Sequence, residues 1–347
     1  MKRKAIFRFI DRYVGIPVLI VLAILFKRKK RLPIENIKKI IILKLAAIGD
    51  TILLIPMLRT LKKKLPDVEI TFLCSPINIS VANKIPYIDK VINCRVHSFL
   101  NPILFIKFIK EIRKNQYDVL LDAGQWERIN SILSVFIKNH FSIGFKTQKQ
   151  FKHFIYDSIV THYRNKHEIE NFLDFLIPLG IIVTKEDMRL EYPLSEKNLQ
   201  FADEFWIAND LNNKTVICLH PGCGENGQPR EWSNDNYIKL GKRLVEFDNS
   251  IRLLLTGAEI DIERCKIIGE EIKNNVVNTA GIFPIDDVIS LILFYFLLFF
   301  RYVFVFKLIQ KKCEIKVRKT SYPALVYANN SGVNAFLIYI NTSSTVI

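Results

Sequence analysis

The sequence predicts an α/β fold of two Rossmann-like halves, and three features carry that prediction. Residues 40–43 form an unbroken run, Ile-Ile-Ile-Leu, the mark of a strand covered on both faces of a parallel sheet. Such runs alternate with segments whose apolar residues recur at helical spacing, as successive βα units do. The alternation pauses near residues 190–212 and then restarts, which suits a chain of 347 residues with two domains.

The first half opens with a strand over 39–45 and passes through Ala46, Ala47 and Gly49 into a helix over 51–65. Strands follow at 68–73, 117–122 and 142–145, with helices at 100–114 and 127–138. A helical stretch over 165–179 stops at Gly180, and another over 195–209 begins after Tyr192-Pro193. The second half then reads strand 215–219, helix 235–247, strand 251–255, helix 259–274 and a short strand 276–278. The expected organisation is an N-terminal segment, 1–37, a first domain, 38–190, and a second, 191–347.

Charge narrows the partners. The chain has 50 Lys and Arg against 34 Asp and Glu, and the excess sits at its ends. Residues 1–31 hold ten basic residues against Asp11, and residues from 289 onward hold seven against Glu314. The body between is nearly neutral, so it has no basic groove and nucleic acid is not an expected partner. The six cysteines form no C-x-x-C pair, which indicates neither a zinc site nor a disulfide framework.

Residues 14–26 are apolar and lie between Lys2-Arg3-Lys4 and the run from Lys27 to Arg31. Thirteen residues fall short of the ~20 that span a bilayer as a helix. Basic flanks favour an anionic membrane surface, so a membrane-associating segment is expected, with a buried first helix as the alternative.

Two loops carry the chemistry. Asp50 stands at the bend between the first strand and the first helix, at the carboxyl edge of the sheet, where open α/β folds place ligands. Gly49 and two alanines leave room around the carboxylate; its structural alternative is an N-cap. The second loop, residues 220–233, follows a strand and precedes a helix. Its backbone N–H groups can cradle an anion, its glycines allow close approach, and Arg230 can grip a phosphate bidentately. It is neither a Walker loop nor a G-x-G-x-x-G fingerprint, which disfavours a nicotinamide oxidoreductase. Trp232 is expected to pack at the loop's exit, His220 to be structural and His167 to lie on a polar helix face.

With these residues in view, the chain resembles glycosyltransferase family nine, the heptosyltransferases. Lys44 to Thr51, Leu54-Ile55-Pro56 and Leu58 to Lys62 are similar to that family's opening motif. His220-Pro221-Gly222, Arg230-Glu231-Trp232, Leu254 to Gly257 and Thr279-Ala280-Gly281 follow its second-domain pattern in order. Tyr117 to Asp122, Ile143-Gly144-Phe145 and His167 to Asn171 fit its middle.

The resemblance implies a GT-B type fold, two Rossmann-like domains facing a cleft, and a metal-independent, inverting transfer with no cofactor. A heptose-like sugar would pass from a nucleotide-sugar donor to a lipid-linked saccharide acceptor, in lipopolysaccharide or surface-polysaccharide synthesis. The expected place is peripheral, at the membrane surface on the cytoplasmic face of the inner membrane. Asp50 would be the general base. Lys44, Gly49, Gly222, Arg230, Thr256 and Gly257 would bind the nucleotide-sugar, with Asn330, Ser331 and Gly332 completing the donor turn.

The sequence departs from the family after residue 290. Residues 291–306 are almost wholly apolar and aromatic, and Asn330 and Ala335 stand where the family's turn has an acid and a histidine. Two origins are expected, a membrane-contacting insertion or a shifted or damaged reading frame. A relative that keeps the fold but not donor binding is the alternative function.

Overall fold

A computed structural model describes residues 15–25, 36–212, 214–222, 232–298 and 335–338. These form two compact units, the first ending at Pro193 and the second starting at Leu194.

The first unit is a six-stranded parallel sheet: β1 (Lys39–Leu43), β2 (Glu69–Cys74), β3 (Lys90–Asn93), β4 (Tyr117–Asp122), β5 (Asn139–Lys146) and β6 (Ser158–Thr161). Their order is β3-β2-β1-β4-β5-β6. Central β1 pairs with β2 and β4, with Leu43 opposite Leu73 and Asp122. Chain direction across the sheet reverses at the β1/β4 boundary, so loops leaving those two strands diverge and open a crevice.

Burial explains the unbroken aliphatic run. Ile41 and Leu43 enter a core with Leu120, Leu133 and Tyr156, while Ile40 and Ile42 are fully buried outside that cluster. A buried aliphatic side chain stabilises by roughly 1.5–3 kcal/mol, so a β1 covered on both faces resists any register slip.

The helices are α1 (Gly15–Leu25), α2 (Ile48–Leu53), α3 (Ile55–Lys64), α4 (Ile79–Ala82), α5 (Pro102–Ile112), α6 (Arg128–Phe136) and α7 (Glu168–Leu173). The helix expected over 51–65 is two, and it starts earlier. Pro56 has no N–H to give to the carbonyl four residues back, and the helix breaks at Leu54. The stretch expected over 165–179 is α7 plus a 3-10 turn, Asp174–Leu179, closed by Gly180 at φ 73°. Sequence reasoning missed β3 and β6, two four-residue edge strands with mixed exposure.

The second unit has a parallel sheet in the order β10-β7-β8-β9, from β7 (Thr215–Leu219), β8 (Ile251–Leu255), β9 (Val276–Asn278) and β10 (Ala335–Ile338). Helices α8 (Glu196–Ala208), α9 (Asn234–Phe247), α10 (Ile262–Ile272) and α11 (Ile285–Leu298) cover it. Strands β7, β8 and β9 match their expected bounds. Helix α11 enters the region where the sequence leaves the family, and Leu291 is fully buried against Ala202 and Trp206. Ala335 opens β10, opposite Val216 of β7.

Gly144 illustrates how tightly the first sheet is packed. A Cβ there would overlap the Tyr156 ring, whose hydroxyl is held by Asp122 and Ser131. Replacing Gly144 by Ala is expected to cost about 1–3 kcal/mol through overpacking, measured as a lower urea midpoint for the first unit's transition.

Candidate functional site

Every polar side chain of the first site sits at or just beyond the carboxyl edge of the first sheet. Lys44 follows β1 and is completely buried. Its backbone N–H continues the ladder to the Leu73 carbonyl at 3.0 Å, which fixes the start of the side chain. Its ammonium donates to Asp50 Oδ2 at 2.8 Å and to Gln125 Oε1, and lies 5.8 Å from the centre of the Phe172 ring.

Asp50 falls in the first turn of α2 and does not cap it. The N-cap is Ala47, which supplies no side-chain bond. Thr51 donates back to the Ala47 carbonyl at 2.9 Å, and Asn78 Nδ2 ties Thr51 Oγ1 (2.8 Å) and the Lys44 carbonyl (2.9 Å) together. The loop is therefore held by neutral groups. Asp50 keeps 31 % of its side chain exposed, with one oxygen on Lys44.

Sequence reasoning missed what lies behind this pair. Gln125 is buried; its Nε2 donates to Glu168 Oε2 at 3.3 Å, and Glu168 lies 2.9 Å from His162 Nε2. His162 is itself set edge-on to Phe145 and Trp126. Gln125 can have only one orientation here. With its N–H on Glu168, its carbonyl must face the Lys44 ammonium. His167, expected on a polar face, caps α7 and accepts from the Ile169 N–H at 3.2 Å.

A second buried ammonium lies at the same edge. Lys152 is 3.4 Å from Asp122 Oδ2 and also donates to the Gly124 carbonyl. Asp122 accepts further bonds from Ser131 Oγ (3.0 Å) and the Gly124 N–H (2.9 Å). Desolvation and the Asp122 carboxylate push the Tyr156 hydroxyl well above the usual tyrosine range. Only the carboxylate ending the Tyr117–Asp122 motif hinted at this cluster in the sequence.

The second unit has its own site at the carboxyl ends of β7 and β8. His220 Nδ1 lies 3.0 Å from Thr256 Oγ1, and Thr256 is buried. Gly222 and Gly257 both abut Asp261. A Cβ on Gly222 would strike the Asp261 carboxylate, and one on Gly257 would come within 2.7 Å of Asp261 Cβ. Asp261 in turn accepts the Ala258 N–H at 2.9 Å. Trp232 packs edge-on to Tyr237, as expected of a packing residue. Arg230, Asn330, Ser331 and Gly332 lie outside the described residues.

Burial defines the cysteines as well. Cys74, Cys94, Cys218 and Cys265 are free and buried, and desolvation pushes their thiols up to about 12, so they are inert as nucleophiles at neutral pH.

Comparison with known proteins now decides the family. The pattern of glycosyltransferase family 9 (heptosyltransferase) matches residues 105–295, more than half of the chain. The chain belongs to that family. It is a glycosyltransferase of the heptosyltransferase type, and its two parallel-sheet units have the GT-B fold of the family's solved members. The lipopolysaccharide core heptosyltransferase OpsX of Haemophilus influenzae is 22% identical over 249 residues, 71% of this chain and 68% of that protein.

Among solved structures, the family 9 glycosyl transferase of Veillonella parvula aligns with TM-score 0.57 at 20% identity, over 75% of this chain and 74% of that one. The E. coli ADP-heptose lps heptosyltransferase II aligns with TM-score 0.53 at 19% identity, over 73% and 76%. E. coli heptosyltransferase WaaC has been solved with ADP and with ADP-2-deoxy-2-fluoro heptose; in the latter form it aligns with TM-score 0.52 at 17% identity, over 73% and 79%.

His220 gives this second site a pH dependence. Burial lowers its pKa, and the Asp261 charge only partly offsets that. As pH falls, the unfolded chain therefore takes up the proton first, at about 6.5. The stability that neutral His220 contributes is complete above that value and is lost as pH falls from there toward the folded-state pKa. Urea midpoints for the second unit should drop between pH 7 and 5, and His220→Asn should flatten that drop.

Proposed function

We propose that this family 9 enzyme moves a heptose-like sugar from an ADP-sugar donor to a lipid-linked saccharide of the lipopolysaccharide core, with inversion and without a metal. The observation that carries the proposal is the Asp50 carboxylate. It is partly exposed, unused as a cap, and pinned through one oxygen at the edge of the first sheet. The ADP ligands of the E. coli relative support the donor class, and the name of the H. influenzae relative supports the acceptor class.

In the proposed reaction the free Asp50 oxygen takes the proton of the acceptor hydroxyl. The acceptor's hydroxyl oxygen then attacks the anomeric carbon from the face opposite the diphosphate, the sugar–phosphate bond breaks, and the nucleotide diphosphate leaves with the electron pair. One positioned base supplies roughly 10²–10⁴-fold. Lys44 is occupied by Asp50 and Gln125, so its part is to orient the base. Gly49 leaves the space beside it open, since a Cβ there would meet nothing within 4 Å.

Neutralising the leaving group falls to the second unit. Arg230 would pair with the diphosphate and the 220–233 loop would add backbone N–H groups, with Gly222, Thr256 and Gly257 bordering the nucleotide and Asn330, Ser331 and Gly332 forming the donor turn. Helix α1 would lie on the cytoplasmic surface of the inner membrane. No described helix is long and apolar enough to cross a membrane.

A decayed relative that keeps the fold is the second reading, favoured by Asn330 and Ala335 standing where the family's motif has an acid and a histidine. Titration with ADP-heptose separates the two. Saturable heat supports the enzyme, and its absence supports decay.

Asp50→Asn tests the base. Turnover of ADP-heptose should fall at least 10²-fold, and stability should drop by about 1–3 kcal/mol because Lys44 loses its carboxylate. Unchanged turnover would reject Asp50 as the base. Arg230→Ala should raise the donor KM at least tenfold, measured by coupled release of ADP, while the melting curve stays within error.

A further inference from the structure

We infer that α5 is a second lipid-contacting element, on the same helical layer as α1, and that its partner is an anionic bilayer surface. The inference rests on α1 as a membrane-surface segment and goes beyond it.

Helix α5 has two unlike faces. Phe105, Phe108, Ile109 and Ile112 turn inward to the core below the sheet. Ile103, Ile106, Lys107 and Lys110 recur at i, i+3, i+4 and i+7 and so share the opposite face. That face is exposed, with Ile103 at 64 % and Ile106 at 52 %. Neither isoleucine belongs to the core cluster that α5 packs on. An outer helix face in water is ordinarily polar, and apolar residues followed by lysines are the composition of a helix lying in a lipid interface.

Helix α6 links α5 to α1. Phe136, at its carboxyl end, meets Phe105 of α5 edge-on at 5.8 Å. At its amino end, Arg128 lies so close to Gly15 of α1 that a Cβ there would come within 3.0 Å. Leu19 anchors α1 with no exposed surface, while Ile24 and Leu25 of α1 are left about 70 % exposed. Phe151, in the left-handed region at φ 52°, is also half exposed and lies two residues before the 3-10 turn His153–Ile155, which packs on α1.

Charge selects the occupant. Lys107, Lys110, Arg113 and Lys114 stand against Glu111 as the one acid between 102 and 114. Such a surface complements anionic headgroups, with lysine stems lying along apolar ground and ammonium groups reaching the phosphates. A second copy of this chain would present the same positive charge and be repelled.

Flotation of the full chain with vesicles of phosphatidylethanolamine and phosphatidylglycerol, 3:1, tests this. Wild type should bind, less as salt rises, and weakly to vesicles of phosphatidylcholine. Ile103→Glu with Ile106→Glu should weaken binding at least tenfold while ADP release with a detergent-solubilised acceptor is unchanged. Ile103→Ser with Ile106→Ser should act in the same direction if the glutamates disturb folding. Lys107→Glu with Lys110→Glu should remove most of the preference for anionic lipid. If the isoleucine variants float like wild type, α5 makes no lipid contact and only α1 docks. If wild type itself does not float, the assignment of α1 falls as well. A concentration-dependent dimer that these variants abolish in sedimentation would identify the face as a self-contact and overturn the inference.

Discussion

The buried ammonium of Lys44 is the constraint on which the first unit's site depends. Removing a lysine from water costs several kcal/mol after relaxation, and a burial this complete is tolerated only when nearby groups replace the lost hydration. Asp50 supplies charge and Gln125 a carbonyl, with the face of Phe172 close by. Each partner is then constrained in turn. Gln125 is oriented by Glu168, Glu168 by His162, and the α2 turn that presents Asp50 by Asn78 and Thr51. The position of one carboxylate is thus over-determined from two directions.

The second unit solves a similar problem with shape. Asp261 is a buried carboxylate that fits only because Gly222 and Gly257 have no side chain, and the same two glycines let the β7 and β8 loops run close to each other. In the proposed reaction the two units would divide the requirements of sugar transfer. One builds a held carboxylate and the other a glycine-lined loop, each at the carboxyl edge of a parallel sheet.

Most of the fold was legible because the central strands are buried on both faces. Residues 40–43 read as a strand because nothing polar interrupts them, and 251–255 because Arg252 is the one polar residue in an otherwise aliphatic run. Short edge strands such as Ser158–Thr161 carry no such signal, because half their side chains face solvent. Asp50 and Lys44 were legible as individuals through the motif that holds them. Their pairing was not, because five residues, 45–49, separate them and no local spacing rule brings an ammonium back onto the following helix. Gln125, Glu168 and His162 were illegible for a stronger reason. Gln125 is 81 residues from Lys44 and 43 from Glu168, and only the strand order places them side by side. His167 was misjudged because a capping histidine looks like any polar residue before a helix; the Glu170 that completes its capping box was the available clue.

The family pattern covers residues 105–295 and so includes neither Lys44 nor Asp50. Topology supplies the connection. Strand β1 lies against β4 in a register that sets Leu43 opposite Asp122, and the Ala123 N–H donates to the Leu43 carbonyl at 3.0 Å. Two residues further on, Gln125 meets Lys44. Gln125 and Glu168 both fall within the matched span, and between them they fix the ammonium that holds Asp50. A substitution at Asp50 is therefore felt at residues of the matched span, through the Lys44 ammonium that Gln125 holds. The β1/β4 crevice, the buried lysine and the carboxylate are consequences of one strand order, and a sheet with β1 at its edge could build none of them.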